Sequence, residues 1–186
     1  VLCDGALRGL EKTGEWSATP LPYYERSIAS GSLSKIGITG VRIGWLIAEE
    51  SFVEDCWTYK DYSTLCHSGI GEYLSTIALQ PDNMDRYLKR ARNIVEFHSG
   101  ILAQWMEKNS DIVDWTPPVA GHTTFISYKP DIPSLELGKR LLEKEDVLVS
   151  PGDFFKVPKH LRIRYSGEES ELREGLKRLE SFLRSV

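Results

Sequence analysis

The strongest constraint on the fold is a stretch of apolar residues at helical spacing. Met84, Tyr87, Leu88, Ala91, Ile94, Val95, His98, Ile101, Leu102, Trp105 and Met106 recur three and four residues apart. That period draws one broad apolar stripe along a helix reaching Lys108, with Asn109-Ser110 ending it. A helix this long needs cover along its length, and its flanks differ in character. Before it come short strand candidates and helices: Val1–Cys3 ending at Asp4, Ser27–Ala29, and the mostly apolar Val41–Ala48, which reads as buried on both faces. Ser51 with Glu54 forms a capping box for a helix running through Trp57, and Gly69–Gln80 is helical up to Pro81. After it, Asp111–Trp115, His122–Tyr128, Asp146–Ser150 and Leu161–Tyr165 read as strands. Ser134 caps a helix with Leu137, Leu141 and Leu142 inward, and Glu168–Arg184 closes as a helix with Leu172, Leu176, Leu179 and Leu183 on one face. The order is mixed α/β, then α+β.

Composition narrows the class. With 186 residues, 41% hydrophobic and 27% charged, the chain has the makeup of a globular domain with its own core. A net charge of −4 argues against a dedicated nucleic-acid partner, and no apolar run is long enough for a membrane helix. Cys3, Cys56 and Cys66 form no CxxC pair, so reduced thiols in the cytoplasm are expected, without a disulfide framework. His67, His98, His122 and His160 lack metal-ligand spacing, and no metal site is expected. His98 falls on the apolar stripe and reads as core; His122 is a candidate pocket residue.

Chemistry concentrates in Ser32-Leu33-Ser34-Lys35-Ile36-Gly37-Ile38-Thr39-Gly40-Val41-Arg42-Ile43-Gly44-Trp45. Hydroxyls and an arginine beside a lysine suit a phosphate, and a partly desolvated lysine becomes a nucleophilic amine. The spacing is not that of a P-loop.

Taken whole, the string resembles the fold-type I pyridoxal-phosphate enzymes, in particular class I/II aminotransferases, which carry S-x-S-K followed by G-x-R-x-G. The likeness continues in Asp4 at a strand end, in Pro118-Val119-Ala120-Gly121, in Val149-Ser150-Pro151-Gly152-Asp153-Phe154-Phe155, and in Leu161-Arg162-Ile163. It implies an α/β chain corresponding to the C-terminal portion of that fold: residues 1–50 ending the large-domain sheet, 51–108 as linking helices, and 109–186 as the small domain. It further implies pyridoxal phosphate as cofactor. Lys35 would form the internal aldimine and shuttle the substrate proton. Asp4 would face the pyridine nitrogen. Ser32, Ser34 and Arg42 would hold the phosphate, and Arg162 would hold the substrate carboxylate, with Arg164 its competitor on the same strand face. The implied reaction is ping-pong transfer of an amino group from an amino acid to a 2-oxo acid, in a homodimer. A C–S lyase, a decarboxylase, a cyclising synthase or a non-catalytic remnant are the alternatives. Leu7 stands where the family has the tyrosine that bonds the cofactor's O3′, Lys35 and Arg42 are one residue closer than usual, and Arg164 replaces a small or apolar residue. The motif order further suggests a fragment of a protein about twice as long, one that binds cofactor poorly alone.

Overall fold

A computed structural model describes residues 1–186. The elements run β1 (Leu2–Asp4), β2 (Ile28–Ser32), β3 (Gly44–Ile47), α1 (Glu50–Asp61), α2 (Gly69–Ala78), α3 (Pro81–Lys108), β4 (Val113–Trp115), β5 (Thr123–Tyr128), α4 (Ser134–Glu145), β6 (Ser150–Pro151), β7 (His160–Arg164) and α5 (Glu169–Ser185). The chain is mixed α/β and divides into two compact units, Val1–Asn93 and Ile94–Val186. The boundary falls inside α3, and its long apolar stripe serves two cores. Leu88, with Met84, Tyr87 and Ala91, packs in the first unit around Leu10, Leu33, Ile36 and Ala78. Val95, Ile101, Leu102, Trp105 and Met106 pack in the second.

In the first unit the sheet order is β1-β2-β3, with β1 parallel and β3 antiparallel to β2. Two expectations fail here. The strand read as Val41–Ala48 shortens to Gly44–Ile47, because Arg42 adopts φ 55° and ends a turn. It is also exposed along its length rather than buried, since β3 pairs on one edge only. Val1 and Leu2 are likewise exposed, at 69% and 72%. Ser51 does not cap α1: the helix starts at Glu50 behind Glu49, and the Ser51 hydroxyl donates to the Glu49 carboxylate. Ser68 does cap α2, its hydroxyl accepting from the Gly71 N–H at 3.3 Å.

The second unit packs α4, α5 and the end of α3 on one face of a four-stranded sheet ordered β4-β5-β7-β6. Period two decides its faces. Thr124, Ile126 and Tyr128 of β5 and Leu161 and Ile163 of β7 are buried. Phe125, facing Arg162 across the ladder, and Ser127, facing His160, line the other face. Leu137, Leu141, Leu172, Leu176, Leu179 and Leu183 all lie in the core, each contributing about 1.5–3 kcal/mol of burial. Leu142 does not: it is 44% exposed. The strand read at Asp146–Ser150 reduces to Ser150–Pro151, because Asp146 takes a left-handed conformation that ends α4. Ser134 is the first residue of α4 rather than its cap, which is Pro133.

Candidate active site

In the first unit the residues singled out by spacing gather at the carboxyl end of β1 and β2. Asp4 and Ser30 are register partners, and the Asp4 carboxylate accepts from the Ser30 hydroxyl at 3.2 Å and the Ala6 N–H at 3.0 Å. Ser32 ends β2, and its hydroxyl accepts from the Ser34 N–H at 3.1 Å. That bond starts a single 3-10 turn, Ser34–Ile36, closed by Gly37 at φ 102°. Leu33 and Ile36, on either side of Ser34-Lys35, are buried, so the turn is nailed to the core from both sides. Lys35 is thereby held outward, exposed and without a hydrogen-bond or ion-pair partner. Arg42 reaches back over the loop, donating to the Thr39 carbonyl at 3.4 Å and the Ser34 hydroxyl at 3.5 Å. The short lysine-to-arginine spacing therefore still brings guanidinium and hydroxyls together. This donor set, two hydroxyls and a guanidinium beside a free amine, fits a phosphate monoester carrying an aldehyde.

Sequence reasoning missed the loop that shares this groove. Thr64, Cys66, His67 and Ser68 line it together with Gly37–Arg42; nothing in their spacing announces the proximity. Leu7 packs against the cluster of Leu10, Leu33 and Ile36.

The second unit holds a separate cleft of about 700 Å³ on the open sheet face, where Arg162 lies among Phe125, Phe155, His160, Thr123 and Asp114. The Arg162 guanidinium sits over the Phe155 ring at 5.5 Å. Phe155 meets Phe125 edge-on at 5.6 Å, and Phe125 stacks on His160 at 5.1 Å. Arg164 lines a different groove, with Glu168 and Glu171 at the start of α5. His122 is not among the cleft residues; its carbonyl accepts from the Tyr165 N–H at 3.0 Å. His160 lines this cleft, brought there by the β5–β7 register. The turn Pro118–Gly121 needs its glycine at φ 84°, and the Gly121 carbonyl accepts from the buried Tyr165 hydroxyl at 2.6 Å. Burial pushes that phenol up to about 12. No group of three or more His, Cys, Asp or Glu side chains comes together to hold a metal, and no helix is long and apolar enough to cross a membrane.

A mixed α/β chain with a turn-borne lysine, a hydroxyl–guanidinium cluster and a strand-end aspartate is the arrangement that the resemblance to pyridoxal-phosphate enzymes implies. The family aminotransferase class I and II matches residues 12–179, and the chain belongs to it. It is 28% identical over 177 residues to capreomycidine synthase of Streptomyces vinaceus, covering 95% of this chain and 45% of that protein. It is similar to a crystal structure of a PLP-dependent aminotransferase from Streptococcus suis 89-1591, with TM-score 0.89, 30% identity, and coverage of 99% and 48%. It is also similar to the PLP-dependent cyclase OrfR, with TM-score 0.89, 25% identity, and coverage of 99% and 50%. The chain spans about half the length of the curated relatives it matches. The family and these neighbours imply pyridoxal phosphate as the cofactor.

Proposed function

We propose that this chain carries the lysine-bearing half of an aminotransferase site and moves an amino group from an amino acid to a 2-oxo acid by alternating half-reactions. The observation that carries the reading is the Ser32–Ser34–Arg42 cluster beside the free Lys35 amine, on a turn anchored by Leu33 and Ile36. When bound, pyridoxal phosphate supplies the electron sink for charge developing at the substrate Cα. Ser32, Ser34 and Arg42 hold the phosphate by charge-assisted hydrogen bonds. Asp4, fixed by Ser30 and the Ala6 N–H, would offer its carboxylate to the pyridine nitrogen. Lys35 Nζ would hold the cofactor at its aldehyde carbon and would carry the proton to and from the substrate Cα. Arg162 takes the substrate carboxylate and so orients the Cα–H bond; Arg164, turned toward the acidic start of α5, does not.

In this reading residues 1–50 end a large cofactor-binding domain, 51–108 link, and 109–186 form a small domain. Polypeptide beyond these 186 residues completes the cradle, in a homodimer serving amino-acid metabolism. A cytoplasmic location agrees with the three free cysteines. A second reading, a cyclising synthase on the same residues, is favoured by Leu7, which supplies no phenol, and by the likeness to OrfR.

The test is borohydride trapping of the chain in excess pyridoxal phosphate, followed by peptide mapping. The expected label is on Lys35 and disappears in Lys35→Ala; a label on another lysine overturns the assignment. In a separate, unreduced sample loaded with pyridoxal phosphate, pyridoxamine phosphate formed from an amino acid alone supports transfer. A cyclic amino acid released instead supports the synthase.

A further inference from the structure

The segment Ser150–Phe155 is tied to α4 by a long-range cap. Its helix has no capping side chain at Pro133. Instead the Asp153 carboxylate, 18 residues away, accepts from the Leu135 N–H at 2.8 Å and from the fully buried Ser134 hydroxyl. Ser134 returns the bond, its hydroxyl accepting from the Asp153 N–H at 3.2 Å. The tie fixes a single 3-10 turn, Gly152–Phe155. That turn has no slack on its other side. A Cβ on Gly152 would lie 2.1 Å from the Val157 carbonyl oxygen and 2.8 Å from that of His160. Pro151 is seated on α4, 3.0 Å from where a Cβ on Gly138 would be.

The turn ends in Phe155, the ring under the Arg162 guanidinium. Arg162 has no ion-pair partner, and the Phe155 ring is the cation–π contact of its guanidinium, at 5.5 Å. We propose that Asp153, held by Ser134, is a positioning residue: it places the Phe155 ring, and through it the Arg162 guanidinium, for a carboxylate ligand. The inference rests on reading Arg162 as the carboxylate anchor. Asp153 itself bonds α4 and not the ligand, and a shorter side chain there, unable to reach Ser134 and Leu135, changes the aim of Arg162 rather than its chemistry.

The experiment uses the full chain, with the Arg162 Nε–H resonance followed by NMR and propionate as the carboxylate probe. In the wild type the ring current of Phe155 shifts the Arg162 side-chain protons upfield, and propionate moves the Nε–H signal. Asp153→Ala should abolish the ring shift and weaken propionate about two- to fivefold, the loss of one exposed cation–π contact. Asp153→Asn, which still accepts from Ser134 and Leu135, should keep the ring shift and the affinity. Phe155→Leu, which leaves the α4 cap intact, should lose both. Should Asp153→Ala fail to fold, as judged by the Leu137 and Leu141 amide signals, Ser134→Ala takes its place with the same expectation in smaller measure. Unchanged ring shift and unchanged propionate affinity in a folded Asp153→Ala or Ser134→Ala chain overturn the proposal. If propionate leaves Arg162 of the wild type unmoved, the carboxylate reading fails. The ring shift, lost or kept on substitution at Asp153, still decides the positioning role.

Discussion

Replacing Glu11 by alanine should cost the first unit a large share of its stability, and the cost should depend on pH. Glu11 is 7% exposed, yet it sits where the chain turns back after β1. Its carboxylate accepts from the Gly9 N–H at 2.7 Å, the Ser17 N–H at 2.9 Å and the Ser17 hydroxyl at 2.7 Å. Burial opposes its ionisation, but the bonds from Ser17 and Gly9 outweigh this and hold the carboxyl below its ordinary value. Around it, Arg8 donates to the Ser17 carbonyl at 2.7 Å and lies over Trp16, and Arg92 of α3 donates to the Gly9 carbonyl at 2.7 Å. One hydrogen bond to a charged group contributes about 1.5–3 kcal/mol, but three on one carboxylate do not add. We therefore expect Glu11→Ala to lose about 2–4 kcal/mol, since it also strands the buried Gly9 N–H. Urea titration followed by Trp16 fluorescence reads the loss. The sign with pH follows from the lowered pKa: the stabilisation is present above the unfolded-state value near 4.5 and is lost as pH falls through the folded one. Wild type and variant should converge in that acid window. A difference below about 0.5 kcal/mol at neutral pH, the range of ordinary surface substitutions, or a difference that persists unchanged at low pH, refutes the account.

Two further substitutions probe the second unit. Tyr165→Phe removes the donor to the buried Gly121 carbonyl and should cost about 1–2 kcal/mol in urea unfolding. It should also remove one of the two phenols, with Tyr128 the other, raised to about 12 in the alkaline absorbance curve. Gly152→Ala pushes a methyl into two backbone carbonyls. It should cost about 3 kcal/mol or more, above the usual range for overpacking because backbone must move. A shift in urea midpoint of under half that size would mean the turn is softer than the geometry says.

Much of this was legible from pattern. The 3.6-residue stripe located α3, His122–Tyr128 and Leu161–Tyr165 read as strands, and the S-x-S-K and G-x-R-x-G string picked out Ser32, Ser34, Lys35 and Arg42 as neighbours. What escaped has physical causes. Hydropathy reports that Val1, Leu2, Trp45, Leu46 and Ile47 prefer cover, not whether a neighbour provides it, and here they are exposed. Capping rules look one turn ahead, so they nominated Ser51 and Ser134 and could not see a carboxylate arriving from Asp153. His160 was passed over because its place beside Phe125 is a consequence of strand register, which no local window contains.

Leu7 shows how such a miss can bear on function. Read by resemblance, it is an absence: a leucine cannot supply the phenol that the family aims at its cofactor. In the structure it is a contribution, for its side chain packs against the buried cluster that includes Leu33 and Ile36, the two residues that flank Ser34 and Lys35. The turn that presents the lysine has three residues and one hydroxyl-to-backbone bond at its start, so its stiffness depends on what lies beneath it. An aliphatic side chain at position 7 adds to that floor. The proposed cyclising alternative therefore draws on this residue and not on the lysine, serine or arginine positions that both readings share.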